Sequence, residues 1–439
     1  MARSSGRAEP LPPAEFTAAG HRYRVDGRQL SFDGGNSSID YFIGSNTAGR
    51  TWLRTFEGYL FELPVTWYAQ KGTWDASPGY ETERYVRLNR AVEPSCLLCH
   101  SSQVRPVLGT QNRYGDPPFL ENGVSCERCH GPGSEHVRDP ARARMVDPAK
   151  LDPERREAIC SQCHLSGEAR IERPGRRFVE FQAGERLSDY ATYLVWKGGR
   201  RDLKVTSHVE KLAASACRTP TGRALACTSC HEPHTNANRT QATCLSCHAE
   251  AHRQQERCVT CHMPKAKSAD ASHGVLTDHS IPRPPKPADK TTRTELASFL
   301  DLAGDRALGL AYAELGDPRA RAHLLRAQPQ DWLVRLRLAL LEADPNRAAA
   351  LYESVLKDRP GDTSALVNLG GIYATAGRLH EAGQLWERAL QANPAIEEAV
   401  LNLAQIRPLA PAIAILNRYL ILNPASPAAR SRLAVLRHR

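Results

Sequence analysis

The apolar positions of the chain follow different patterns in three successive regions. Between residues 21 and 70, aromatic and β-branched residues are frequent, and turn dipeptides such as Asp26-Gly27 interrupt them. This pattern predicts two or three short antiparallel strands. Residues 1–20 are rich in Ala, Pro, Ser and Gly, which predicts a disordered tail. We therefore expect a small N-terminal β-rich module over residues 21–95.

The last third of the chain is dominated by Ala and Leu and contains no cysteine. Prolines close successive units at intervals of 31, 34 and 30 residues, namely Pro329, Pro360, Pro394 and Pro424. Residues 363–396 fit a helix-turn-helix repeat of about 34 residues, the tetratricopeptide pattern. The matching positions are Leu366, Leu369, Gly370, Tyr373, Ala382, Trp386, Ala389 and Pro394. The pattern predicts an α-solenoid of three to four such repeats.

We place this solenoid at residues 293–439, after a Pro-rich linker at residues 283–292. Each repeat of a solenoid contacts only its neighbours, so we expect this block to fold alone. We also expect its surface to dock a partner or to hold an assembly of copies.

The region between these blocks, residues 96–282, is poor in large apolar side chains. From Cys96 to His279 it contains only two Ile and three Phe, too few for an ordinary core. Gly-Pro and Pro-Gly steps predict that loops dominate this region. Helical spacing of apolar residues predicts helices over Pro153–Cys163, Leu187–Lys197 and Ser207–Cys217.

The cysteines indicate what replaces the core. Twelve of the thirteen form Cys-x-x-Cys pairs, and His follows each of the six pairs directly. The paired cysteines are Cys96, Cys99, Cys126, Cys129, Cys160, Cys163, Cys227, Cys230, Cys244, Cys247, Cys258 and Cys261, and the histidines are His100, His130, His164, His231, His248 and His262. This pentapeptide is the attachment signature of c-type haem. Zinc ribbons, which combine Cys pairs with His in any order, and disulfide scaffolds fit these spacings less well.

The motif predicts six covalent haems c, each with a defined chemistry. Two thiols add to the porphyrin vinyl groups, and the adjacent imidazole lies below the iron as the proximal ligand. With so few apolar side chains available, the porphyrins are expected to form the core of residues 96–282. The lone Cys217 is expected to be a small buried side chain.

The formal charge of +10 would by itself suggest a nucleic-acid partner. Haem propionates need basic partners, however, and no basic run is interleaved with aromatic residues, so we expect no nucleic acid. No stretch approaches the 18 or so apolar residues of a membrane span. Haem c is attached outside the cytoplasmic membrane, which predicts a periplasmic or extracellular protein. The first residues lack a secretory apolar segment, so we expect the leader to lie upstream of Met1 or to have been removed.

Histidines outside the motifs decide whether each iron receives a second axial ligand. Residues 1–282 contain seven of them, and we expect six to be distal ligands, with His21 in reserve. The six are His136, His208, His234, His252, His273 and His279. His234 and His252 follow a motif His by only three and four residues, too close to reach the far face of the same haem. Each is therefore expected to bind a neighbouring haem, and neither Met145 nor Met263 is expected to bind iron.

Several of these stretches resemble a known family. Cys126-Glu-Arg-Cys-His130-Gly-Pro-Gly, the block from Cys227 to His234 and the tail from Cys258 to His279 are similar to multihaem cytochromes c. The lineage includes tetrahaem electron carriers, pentahaem nitrite reductase and hydroxylamine oxidoreductase. YFIGSNTAGRTW and LPVTWYAQKGTWDASPGYE resemble the N-terminal part of a bacterial subgroup fused to tetratricopeptide repeats, so the resemblance covers most of residues 21–285.

The resemblance implies a redox role, haem c, and iron ligation by His234 and His279. Nitrite reductases of the lineage replace one motif His by Lys, whereas all six motifs here keep His, which speaks against that activity. The resemblance does not identify the reaction or the redox partner proteins.

Three functions are compatible with the sequence, and one of them is favoured. The least favoured makes the repeats primary and the haems a sensor module, because six haems exceed what sensing needs. The favoured one is an electron carrier whose six irons are mostly ligated by two histidines. The alternative is an oxidoreductase that acts on a small nitrogen or sulfur compound at one five-coordinate haem, because turnover at iron needs an open position. Either protein is expected to be mainly α, with a small β module, a loop-rich hexahaem domain and a repeat solenoid.

Overall fold

The computed structural model describes residues 3–45, 47–197, 202–218, 225–235, 237–248, 258–271, 274–282 and 294–438. These residues form two compact units. One, the haem-motif unit, consists of residues 124–320; the other, the β–repeat unit, combines residues 3–123 with residues 321–439. The linker expected at residues 283–292 lies outside the described residues.

Residues 3–123 are built mainly from antiparallel strands. These are β1 (Ser5–Arg7), β2 (Leu11–Ala18), β3 (His21–Gly27), β4 (Gln29–Phe32), β5 (Gly35–Ser38), β6 (Tyr41–Ser45), β7 (Gly49–Phe56), β8 (Tyr59–Tyr68), β9 (Thr73–Ala76), β10 (Arg90–Ala91), β11 (Val104–Pro106) and β12 (Tyr114–Phe119), with the short helix α1 (Pro94–Leu97). One sheet has the order β1-β6-β7-β8-β10 with β9 beside β8, and a second has the order β2-β3-β4-β5. Strands β11 and β12 pair as a separate hairpin.

This part of the chain contains far more strand than the sequence predicted. The expectation of a disordered tail over residues 1–20 is wrong for its described part, because β1 pairs with β6 and β2 pairs with β3. Phe16 explains the ordering of β2, since its ring stacks on Trp74 with ring centroids 5.2 Å apart. Burial of this aromatic pair compensates for the conformational entropy that a Pro- and Ala-rich segment loses on folding.

The haem-motif unit consists of short helices, short hairpins and loops. Its helices are α2 (Cys126–His130), α3 (Ser134–Arg138), α4 (Pro153–His164), α5 (His208–Ala213), α6 (Cys227–Cys230), α7 (Thr240–Cys247), α8 (Cys258–His262) and α9 (Asp305–Glu314). Its strands are β13 (Ala169–Glu172), β14 (Ala191–Trp196), β15 (His231–Glu232), β16 (Ala237–Asn238), β17 (Lys265–Lys267), β18 (Val275–Thr277) and β19 (Leu296–Ser298). Helix α4 confirms the helix predicted over Pro153–Cys163, and α5 confirms part of the one over Ser207–Cys217.

An ordinary apolar core forms around one sheet of this unit, contrary to expectation. Strands β13, β14 and β19 pair in that order. Ile171, Phe178 and Tyr193 are buried there, and the last two rings meet edge to face at 6.3 Å. The helix predicted over Leu187–Lys197 is wrong, because its β-branched and aromatic residues form the central strand β14.

Residues just after the predicted linker belong to this sheet as well. β19 pairs with β14, and the Arg306 guanidinium on α9 donates a hydrogen bond of 2.8 Å to the Glu172 carbonyl oxygen. The domain boundary expected at residue 293 therefore differs from the boundary near residue 320 that divides the compact units. The cause is a sequence-distant strand pairing, which the repeat pattern does not indicate.

Residues 321–438 form a helical array, as predicted. The helices are α10 (Ala320–Arg326), α11 (Trp332–Leu340), α12 (Pro345–Asp358), α13 (Thr363–Thr375), α14 (Leu379–Ala392), α15 (Glu397–Ile406), α16 (Leu409–Leu422) and α17 (Pro427–Arg437). Side chains of Asp331, Asp344, Asp362 and Ser426 accept hydrogen bonds from the first turns of α11, α12, α13 and α17. Such N-caps satisfy backbone N–H groups that have no partner inside a helix.

With β strands across residues 3–123, the chain as a whole is mixed α and β rather than mainly α.

Residues 3–123 cover the C-terminal ends of two repeat helices. The last carbonyls of a helix have no partner within it. At α16 the buried Arg54 guanidinium donates to the Leu422 carbonyl oxygen at 3.0 Å, and its positive charge suits the negative end of the helix dipole. At α14 the Tyr59 hydroxyl donates to Gln391 O, and the Gln111 N–H donates to Ala392 O at 3.0 Å.

Apolar contacts accompany these hydrogen bonds. Phe61 on β8 and Leu422 at the end of α16 are fully buried in one cluster with Tyr59 and Ala395. The repeats thus contact more than their own neighbours. The expectation that residues 293–439 fold alone remains a prediction, and the buried surface shared with β8 is a reason to expect lower stability for the isolated block.

Arg54 and Arg418 both take part in contacts between residues 3–123 and the repeats, but their solvent exposure differs. Arg54 is 6% exposed and bonds a carbonyl, whereas Arg418 is 49% exposed and pairs with Glu57. We expect Arg54→Ala to lower the free energy of unfolding of the β–repeat unit by about 2–3 kcal/mol, because a buried charge-assisted hydrogen bond is lost. Arg418→Ala should cost less than about 1 kcal/mol, as exposed ion pairs do. Denaturant unfolding measures both, and equal effects would contradict this assignment.

Gly370 allows α13 and α14 to approach closely. A Cβ at this position would lie 2.4 Å from Trp386 Nε1, while a Cβ at Gly371 would meet nothing within 4 Å. We expect Gly370→Ala to destabilise the repeats by about 1–3 kcal/mol through overpacking. Gly371→Ala should stabilise them by about 0.5–1 kcal/mol, because Ala favours a helix interior. Thermal unfolding of the two variants tests this, and a Gly370→Ala protein as stable as the parent would contradict it.

Candidate haem sites

The six Cys-x-x-Cys-His motifs lie at short helices or helix ends. Residues three apart share one face of a helical turn, so this spacing directs both thiols of a pair to the same side. The motif cysteines lie at α1, α2, α4, α6, α7 and α8. The first motif, Cys96–His100, is part of the β–repeat unit, and the other five are part of the haem-motif unit.

Hydrogen bonds to backbone carbonyls orient several of the predicted ligands. Nδ1 lies 2.8 Å from Val146 O in His130, 2.7 Å from Ala143 O in His136, and 3.0 Å from Thr277 O in His279. His262 makes the same kind of bond, at 3.2 Å to Pro282 O. A carbonyl only accepts, so Nδ1 carries the proton in these rings and Nε2 keeps its lone pair. This is the usual arrangement of a metal-binding histidine.

Two motif histidines each lie near a spare histidine, with the ring centroids at a distance that suits two ligands of one iron. The rings of His130 and His234 have centroids 5.9 Å apart and planes within 18°, and those of His231 and His279 are 6.2 Å apart and within 29°. Imidazole nitrogens bind metals at about 2.0 Å, which places the ring centres of two opposite ligands about 6 Å apart.

A third motif histidine extends this arrangement into a chain of rings. His164 lies 4.9 Å from His208, and His208 lies 4.7 Å from His279, both edge to face. Through His279 the chain continues to His231. Two motif histidines and two predicted distal ligands are thus brought together, although 115 residues separate His164 from His279 in sequence.

Burial keeps these imidazoles neutral. It lowers the pKa of His164, His208 and His279, and neighbouring rings reinforce the effect for all three. For His208 the pKa falls to about 3. Burial also lowers the pKa of His100 in the first motif. The neutral imidazole is the form that binds a metal, so the electrostatics favour ligation.

All thirteen cysteines lie in the described residues, and none forms a disulfide. Burial raises the pKa of Cys96, Cys129, Cys230 and Cys244, which keeps these groups as thiols. Cys160 and Cys227, from different motifs, share a hydrogen bond that raises the pKa of Cys160 and lowers that of Cys227. Cys217 is half-buried, with its N–H bonded to Ser215 Oγ.

The donor set fits haem c. Within the described ranges, no three His, Cys, Asp or Glu side chains are grouped so as to hold a metal ion directly. The site instead provides thiol pairs and pairs of imidazoles. A porphyrin supplies the four remaining nitrogen ligands and needs only two axial ones from the protein.

Not every predicted ligand is located by the structure. His252 and His273 lie outside the described residues. His21 lies in the β–repeat unit, where its Nε2 is 3.0 Å from Glu83 O, so this nitrogen is engaged in a structural bond. Sequence reasoning missed the carbonyls of Val146 and Ala143, which orient His130 and His136. No side-chain pattern marks a residue that acts through its backbone.

Two protein families match parts of the chain. Residues 68–131, which include the first two motifs, match the family Cytochrome c554 and c-prime. Residues 339–406 match the tetratricopeptide repeat. The first match implies covalently bound haem c and electron transfer by a c-type cytochrome, in a family that is typically extracytoplasmic. Together the two matches support a c-type cytochrome fused to tetratricopeptide repeats.

Similar solved structures correspond to about 30% of this chain. A tetratricopeptide repeat protein from Parabacteroides merdae is 20% identical, over 29% of this chain and 56% of its own length, with a TM-score of 0.26. MamA AMB-1 is 22% identical over 30% of this chain and 79% of its own, with a TM-score of 0.28. MamA MSR-1 is 21% identical over 30% and 83%, with a TM-score of 0.27. TM-scores this low carry no argument about function.

Curated proteins give no match to the sequence. In the part of the chain that the structure describes, no helix combines the length and apolar character needed to cross a membrane.

Proposed function

We propose that this protein is a multihaem c-type cytochrome that carries six covalent haems and transfers electrons outside the cytoplasm. The observation that supports it best is the pairing of motif histidines with spare ones. His130 faces His234, His231 faces His279, and His164 contacts His208. The first two pairs have the ring spacing of about 6 Å that ligation of one iron from both sides requires. The His164 and His208 rings are closer, at 4.9 Å, and have to separate by about 1 Å to admit an iron between them.

The role of the protein side chains follows from these pairs. Bound haem iron supplies a one-electron couple between ferric and ferrous states. His234 follows the fourth motif but faces the histidine of the second motif, so neighbouring sites interlock. Contact between His208 and His279 brings the ligands of the third and fourth motifs together, and neighbouring sites this close favour transfer from one to the next.

The proposed ligand sets are as follows. The thioether cysteines are those of the six motifs, the proximal ligands are their histidines, and the distal ligands are His136, His208, His234, His252, His273 and His279. Six spare histidines for six irons leave no iron open, which favours a carrier over an oxidoreductase. The tetratricopeptide repeats are proposed to dock a redox protein or a second copy of the chain.

Haem stoichiometry tests the count of six. Mass spectrometry of the matured protein should show six covalent haems and no zinc, because each motif is complete. The double variant Cys244→Ala/Cys247→Ala should lose one haem and leave the others attached. Four or fewer haems in fully matured protein would contradict the proposal.

Distal ligation is tested with a matched pair of histidine variants. We expect His234→Ala to open the iron that His130 binds, giving a high-spin absorption band and binding of roughly one carbon monoxide per chain. His21→Ala, which removes a histidine bonded to Glu83 O, should leave every iron low-spin. A parent protein that already binds carbon monoxide or nitrite stoichiometrically would instead support the oxidoreductase.

A further inference from the structure

A buried carboxylate joins the third haem motif to its partner histidine. Glu210 lies on α5, two residues after His208, and only 2% of it is exposed. Its Oε1 accepts hydrogen bonds from the N–H of Ser166 at 3.0 Å and from the N–H of Gly167 at 2.5 Å. The Ser166 hydroxyl also donates to it at 3.4 Å. These donors lie just past the end of α4, two and three residues after His164.

The loop after His164 has little freedom to adjust. Gly167 has a φ of +62°, and a Cβ there would lie 2.7 Å from the Leu194 carbonyl oxygen. Lys204 holds the same loop from its other side, with Nζ 2.8 Å from Gly167 O and 3.0 Å from Glu168 Oε2. The loop is thus fixed against the sheet, and α5 is fixed to the loop through Glu210.

We propose that Glu210 is a positioning residue that holds His208 at the iron of the third motif. The inference rests on the proposed function, in which His164 and His208 bind that iron. Their rings are in edge-to-face contact, 4.9 Å apart, so the side chains have to rotate apart by about 1 Å to admit the iron while the backbone of α5 stays in place. A buried carboxylate needs several donors, and buried N–H groups need an acceptor. Loss of the carboxylate leaves the loop N–H groups without this acceptor, so α5 is held less firmly against the His164 loop. His208 is the first residue of α5 and moves with it.

The two substitutions at Glu210 differ in whether they leave a hydrogen-bond acceptor for the N–H groups of the loop. Glu210→Ala leaves the Ser166 and Gly167 N–H groups without this acceptor. Glu210→Gln removes the charge but retains an amide oxygen that accepts from both. The matched control is Glu154→Gln on α4, whose side chain is 55% exposed and pairs with Arg186 at 3.2 Å.

The experiment measures the spin state and carbon monoxide binding of the haem-loaded full chain. We expect Glu210→Ala to convert one iron to a high-spin form that binds roughly one carbon monoxide per chain. Glu210→Gln and Glu154→Gln should remain low-spin and unreactive. A general loss of structure would affect more than one iron. A change at a single iron that is seen in Glu210→Ala and absent in Glu210→Gln therefore identifies a positioning role. A fully low-spin Glu210→Ala protein would overturn the inference.

His208→Ala, measured in parallel, separates two kinds of failure. If it leaves every iron low-spin, the ligand assignment in the proposed function is wrong. If it opens an iron while Glu210→Ala does not, the positioning role alone is wrong. Should Glu210→Ala fail to yield soluble protein, Glu210→Asp replaces it, since it keeps the charge but shortens the reach. Partial high-spin character then supports the inference, and a spectrum identical to the parent overturns it.

Discussion

Under the proposed bis-histidine ligation, pairs of imidazoles from distant parts of the chain are the constraint that the haem sites of this unit depend on. An iron bound on both sides needs two rings about 6 Å apart, and the chain must hold each ring from a separate segment. In the two pairs with this spacing, hydrogen bonds from Nδ1 to backbone carbonyls fix the rotation of one ring each, His130 and His279. In the proposal, each short helix or hairpin has only to present one ring or one pair of thiols.

The β–repeat unit depends on a different interaction, the covering of helix ends. Groups of residues 3–123 donate hydrogen bonds to the carbonyls that end α14 and α16, and Phe61 packs beside Leu422 at the end of α16. Two parts of the chain that are distant in sequence thus share a buried surface. A consequence for function is that this edge of the repeats is already occupied, so a partner protein must use another face.

Local patterns predicted the parts of the fold that local chemistry determines. The motif cysteines and the repeat at residues 363–396 are of this kind: Gly370 and Trp386 meet as the repeat pattern requires. Parts that depend on distant pairing were missed. Residues 11–18 are ordered by Phe16 stacking on Trp74, and β19 joins a sheet about 100 residues upstream. Glu210 was missed because a lone Glu in a sequence gives no sign of the N–H groups it will meet.

The proposed bis-histidine ligation of all six irons is tested most directly by quantitative magnetic resonance of the oxidised native protein. Bis-histidine ligation of every iron predicts low-spin ferric signals alone, with no carbon monoxide binding after reduction. A high-spin signal equivalent to one iron per chain would contradict it, and would indicate an open site suited to an oxidoreductase.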